Sequence, residues 1–214
     1  MFKNKLMNKV LLVICLFLST LMNAQTRFED AMGKGLNQLK EAKSPSDLSD
    51  VSAFFERVAD AEKNQWLPYY YAAFTLYRSA FLDKNADNDK VADKCKDLIS
   101  KAQTIENNAD LYCLVQQVAI LQLMVDPMSR YSIYGPLAAN ALESAKKMDA
   151  TNPRIYFLQG MTTFKTPEAF GGGKALAKPL FEKSVELFKT YKPASPFHPN
   201  WGKVEAEKML EQCK

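Results

Sequence analysis

Gly171-Gly172-Gly173-Lys174 stands just before an amphipathic run, where free backbone amides and a lysine could hold a phosphate. The P-loop form of that site needs Gly-x4-Gly-Lys followed by Ser or Thr to hold magnesium, and Ala175 stands where the hydroxyl would be. A tight corner between helices explains the glycines more simply, because only glycine takes positive φ without strain. Pro179 follows closely, so the next helix is expected to start late or kink. His198 is the single histidine, in Ser195-Pro196-Phe197-His198-Pro199. Zinc takes three or four convergent ligands, and the cysteines are neither paired in spacing nor near it in sequence, so His198 reads as an exposed loop residue. A nucleophilic triad would need the same histidine, and no Gly-x-Ser-x-Gly accompanies it. The sequence points away from an enzyme, and no catalytic residue, metal or cofactor is expected.

The N-terminal segment sets the compartment. Met1 to Lys9 is basic, Val10 to Leu18 is an uninterrupted apolar run, and Met22-Asn23-Ala24 ends in a small residue. This is the form of a signal peptide, with cleavage after Ala24. Val10 to Met22 is shorter than the ~20 apolar residues needed to span a bilayer, so residues 25–214 carry no expected transmembrane segment. Cys15 lies inside the apolar run. The protein is expected to be exported across the inner membrane, to the periplasm or beyond. The formal charge of +4 includes Lys3, Lys5 and Lys9; without them 24 acidic residues face a basic excess of one, which gives no steering toward nucleic acid.

From Arg27 the apolar period is helical throughout, and 47% apolar content over 214 residues suffices for one domain with a substantial core. Phe28, Ala31, Met32, Leu36 and Leu39 form a first stripe. Ser44 caps a second helix, with Pro45 at its first position and Asp47 completing a capping box. No run alternates as a half-buried strand does. The anchors Tyr69, Tyr112, Tyr156 and Trp201 are 43, 44 and 45 residues apart, and each opens a first helix of a pair. Second helices align on Phe55-x-x-Val58, Ile99-x-x-Ala102, Leu142-x-x-Ala145 and Phe181-x-x-Ser184. Neither helix of a pair can bury its stripe alone, so the pairs must stack.

With these motifs in view, the chain resembles the tetratricopeptide repeat family. Cys95-x3-Ile99-x2-Ala102, Ala138-x3-Leu142-x2-Ala145 and Ala177-x3-Phe181-x2-Ser184 match its second helix, and Tyr156 with Gly160 matches its first. These units are longer than the family's period of about 34 residues. The extra length is placed between the paired helices, at 83–90, 126–136 and 166–174. The expected fold is all-α: an antiparallel helix-pair solenoid of about four units with elongated loops within the repeats, spanning residues 25–214 after the signal peptide. In that family the first helices line a concave groove. Carried over by position, Tyr70, Phe74, Tyr77, Arg154, Phe157, Met161 and Phe164 would line it here, with Arg154 its one cation. The Lys and Asn clamp of chaperone-binding members is replaced by Tyr70 and Phe74, so an apolar or aromatic segment suits the groove better than an acidic tail.

Two functions follow. The first is a non-enzymatic scaffold that binds a protein or peptide in the groove. The second is a carrier of an apolar small molecule between aromatic helices. An enzyme with an unrecognised site is a third and weaker reading. The cysteines give a direct check. If Cys95 and Cys113 sit on antiparallel helices meeting near Asn107 and Asn108, they are offset by roughly 10 Å at ~1.5 Å rise per residue, beyond disulfide reach. Cys213, next to the C-terminus, is the thiol placed to cross-link. Thiol titration of the oxidised monomer should still find all three; loss of a pair would contradict this placement.

Overall fold

A computed structural model describes residues 25–214; the expected signal peptide, 1–24, and its cleavage site lie outside them. The described residues form α-helices and one short 3₁₀ turn, with no strand among them. The first helix, α1, covers 25–41. It is followed by α2 (Pro45–Ala61), α3 (Trp66–Leu82), α4 (Asn88–Ile105), α5 (Ala109–Leu123), α6 (Pro127–Met148), α7 (Pro153–Lys165), α8 (Lys174–Thr190) and α9 (Lys203–Gln212).

Short polar side chains set the starts. Ser44 Oγ accepts from Asp47 N at 3.1 Å while Asp47 Oδ2 accepts from Ser44 N at 2.9 Å, the capping box read from the sequence. Asp87, Asn108, Asp126 and Asn152 cap α4 to α7, each accepting a backbone N–H of the first turn. Gly173 and Gly202 take φ of +100° and +101° before α8 and α9, where an L side chain would be strained.

Each helix packs on the next in sequence, and α3, α5 and α7 also touch, forming a layer of first helices. One core holds α1 to α5; a second holds α5 to α9; Trp201 packs against both. Close approach depends on small residues. A Cβ on Gly160 would lie 2.7 Å from the ring of Phe181, itself fully buried on α8.

Two sequence expectations are corrected. Residues 126–136 are not an intra-pair loop: α6 runs unbroken from Pro127. Pro127 suits the first helical position, and Pro136 leaves only the carbonyl of Ser132 unserved, on a residue exposed to water. Likewise α8 begins at Lys174 rather than after Pro179, because Gly173 already supplies the turn. Residues 83–87 and 166–173 do form connections outside the α-helices.

Gly160→Leu should lower stability by about 1–3 kcal/mol through overpacking against Phe181. Thermal unfolding followed by circular dichroism checks this, and an unchanged midpoint would show that α7 and α8 are not in this contact.

Candidate functional site

The glycine corner is closed to anions. Gly171 N donates to Glu168 O, Gly172 N to Pro167 O and Gly173 N to Thr163 O, so none of the three amides is left for a phosphate. A Cβ on Gly172 would fall 2.1 Å from the carbonyl oxygen of Thr166, which explains that glycine sterically. His198 is half-buried rather than exposed. Its Nδ1 lies 2.7 Å from Ser195 Oγ within one turn, and its ring meets the edge of Trp66 at 5.5 Å. Cys95 and Cys113 are buried and unpaired, and Cys213 is free and half-buried. Burial pushes the Cys95 thiol up to about 12 and also raises Cys113, so little of either is thiolate at neutral pH.

The aromatic face of the first helices behaves differently along its length. On α3, Tyr70, Phe74, Tyr77 and Phe81 follow one another at +4, +3 and +4, which keeps them on one face. At the N-terminal end this face is covered by the chain's own segment 191–202. Trp201 donates Nε1–H to Tyr70 Oη at 2.8 Å, stacks on Phe74 at 5.5 Å, and meets Phe157 edge-on at 6.4 Å. Tyr71 Oη donates to the carbonyl of Phe197, tying the segment to the same helix.

Beneath Trp201 lies a buried ion pair. Asp110 Oδ1 accepts from Arg154 Nε at 3.0 Å, from Arg154 Nη2 at 2.7 Å and from Asn152 Nδ2 at 2.7 Å. Arg154 is fully buried, also bonds the Tyr191 hydroxyl, and lies 5.7 Å from the Trp201 ring. Burial opposes its charge, but the Asp110 carboxylate, with Tyr191 and Tyr70, more than reverses this and keeps the guanidinium protonated. Burial, with the nearby Asp110 charge, pushes the Tyr70 phenol well above its ordinary range.

Of the seven residues expected to line a groove, Tyr70, Phe74, Arg154 and Phe157 are therefore buried at 0 to 7% exposure. This corrects their placement on an open surface: the chain's own C-terminal segment occupies that half, and Arg154 is neutralised by Asp110 rather than free to meet a ligand. Tyr77, Met161 and Phe164 are half-buried and mark where the cover ends. Beyond them Phe81 is 51% exposed and Met124 53%. Laying α5 on the same register adds Ile120, half-buried, to this open half. Phe81, Ile120 and Met124 were absent from the expected set; one further step of the spacing reaches Phe81, and the 43-residue shift from Tyr69 to Tyr112 carries Tyr77 and Phe81 to Ile120 and Met124. Gln116 Nε2 bonds Thr162 Oγ1 at 3.2 Å, linking α5 to α7 along the layer. The open part of this face presents apolar and aromatic side chains, the kind that line sites for apolar ligands.

This defines an all-helical protein with a partly self-covered aromatic face. Among solved structures it is similar to the HusA haemophore from Porphyromonas gingivalis, with a TM-score of 0.80 and 30% sequence identity over 87% of this chain and 92% of that one. The chain belongs to the family of that protein. No family model matches the chain, and no curated protein matches it.

Asp110→Ala should cost about 3–5 kcal/mol, because it strands a buried guanidinium. Asp110→Leu combined with Arg154→Met should recover much of that loss. Denaturant unfolding of the three variants measures it; equal stability of Asp110→Ala and wild type would remove the ion pair from its structural role.

Proposed function

We propose that the protein is an exported carrier that holds a flat, largely apolar molecule of the haem class on the open half of its first-helix face. The observation that carries this reading is the change along that face. Tyr70 and Phe74 are buried, whereas Phe81 and Met124 keep apolar identity at more than half exposure. Exposed apolar surface that continues from a core face is what a ligand site requires. The family relative is a haemophore. The N-terminal segment has the form of an export signal, and no helix among the described residues is long and apolar enough to cross a membrane. We also read the stack as a tetratricopeptide-like solenoid, in which Gly160 against Phe181 is the small-on-large contact of a unit.

The ring is held by its faces. Haem iron takes His, Met, Tyr or Cys as axial ligands. The open half offers Met124, Met161 and Tyr77, and burial pushes the Tyr77 phenol well above its ordinary range, so it stays protonated. Aromatic and thioether contacts to the macrocycle then supply the affinity, with the charged edge left in water. The protein-binding scaffold is the second reading. It would seat an apolar or aromatic segment on the same open half, without Arg154, which is paired with Asp110 and covered.

Absorbance titration with haemin and with metal-free protoporphyrin IX tests this. Both should bind in comparable ranges, and Phe81→Ala combined with Met124→Ala should weaken both at least ~10-fold, about 1.4 kcal/mol, with helicity unchanged. Absence of binding to wild type, or no effect of the pair, would remove the carrier reading.

A further inference from the structure

The N-terminal half of α6 is built unlike the rest of the molecule. Between residues 127 and 142 the only charged side chain is Arg130. Met128 is 89% exposed, Tyr131 60%, Ile133 59% and Leu137 51%. At about 100° per residue these four are spread around the helix instead of forming one stripe. Met124 and Val125, in the turn just before, are 53% and 45% exposed.

The few charges here are settled within the chain. Arg130 meets Asp89 of α4 in a two-pronged pair at 2.6 and 2.8 Å and donates to the carbonyl of Gln122 at 3.2 Å. Asp126 caps α6 through Ser129 N. These bonds fix the helix start against α4 and α5 and leave no charge that calls for a charged partner. Folding has thus held in water a projecting tip that is apolar on several sides.

We propose that this tip enters the interfacial region of a lipid bilayer, with an uncharged or zwitterionic surface as its partner. A flat protein face would select one stripe; a tip with exposed apolar residues on more than one side of the helix fits a fluid medium that closes around it. Arg130 is paired with Asp89 and Asp126 adds one negative charge, so nothing at the tip draws it to an anionic surface. Tyr131 is a residue type that settles at the boundary of lipid and water, ring inward and hydroxyl outward. The helix is not apolar enough to cross a membrane, so it seats about 5–10 Å deep, at the boundary of headgroups and acyl chains. This inference is independent of the carrier reading, although the tip begins beside Met124 of the open face.

Flotation with phosphatidylcholine vesicles tests it. The protein should float with the vesicles at about 0.1 M and about 1 M salt alike, since no Coulombic attraction is involved. Met128→Glu combined with Ile133→Glu should reduce the floated fraction at least ~10-fold, as charges are costly in that region. Because both residues are exposed, the unfolding midpoint and porphyrin titration should not change. Three outcomes would overturn the proposal: no flotation of wild type, flotation only with anionic lipid and only at low salt, or a dimer in sedimentation that the double variant dissociates. The last would assign the tip to a second copy of the chain. Porphyrin binding read on the same samples keeps this result separate from that of the carrier reading.

Discussion

The pairing of Arg154 with Asp110 is the constraint on which the arrangement of the second half of the protein depends. Removing two charges from water costs several kcal/mol each, and only good geometry with further hydrogen bonds offsets it. Most of those bonds are present: three donors converge on one carboxylate oxygen and the guanidinium also reaches the Tyr191 hydroxyl, while Arg154 Nη1 is buried without a hydrogen-bond partner among the described residues. Satisfying all of them at once admits one register of α7 against α5 and one position for the chain leaving α8. Trp201 follows at the end of that segment and lies against the guanidinium and three aromatic rings. A purely apolar junction could slide; this one cannot without stranding a charge.

Much of the helix arrangement was legible because it rests on local chemistry. Ser44 with Asp47 gave a helix start, and Tyr69, Tyr112 and Tyr156 lie in the first turns of α3, α5 and α7, whereas Trp201 lies outside a helix, ahead of α9. Where the reading failed, a residue's usual meaning was overridden by exposure. Gly135 and Pro136 signal a break, yet α6 continues through them, since the carbonyl that proline leaves unserved belongs to an exposed residue. The site was legible as a face but not as a surface. Periodicity shows which side chains point the same way, whereas what lies on top of them is decided by a segment more than a hundred residues further on.

Arg154 illustrates the difference between position and environment. It stands two residues before Tyr156, and Asp110 stands two residues before Tyr112. Because α5 and α7 lie side by side, the same place relative to each tyrosine carries opposite charges that meet. Assigning Arg154 to a ligand treated each unit alone. Setting α7 beside α5 assigns it to Asp110 instead.

Removing that cation changes what the remaining surface can select. A site with a buried, competent charge recognises the polar end of its ligand and rejects analogues lacking it, because an unpaired buried charge is costly. The open half, with Tyr77, Phe81, Ile120, Met124, Met161 and Phe164, is flanked only by exposed cations, Arg78 over the Phe74 ring at 5.6 Å and Lys165 over the Phe164 ring at 6.0 Å. For the proposed ligand, selectivity then comes mainly from shape and from the apolar area covered, which favours broad flat molecules over extended polar ones. Trp201 reinforces this from the covered side: the indole stacked on Phe74 already fills the inner end, so a ligand is confined to the outer part of the face. The same contacts that complete the core thereby set the length of the surface left for binding.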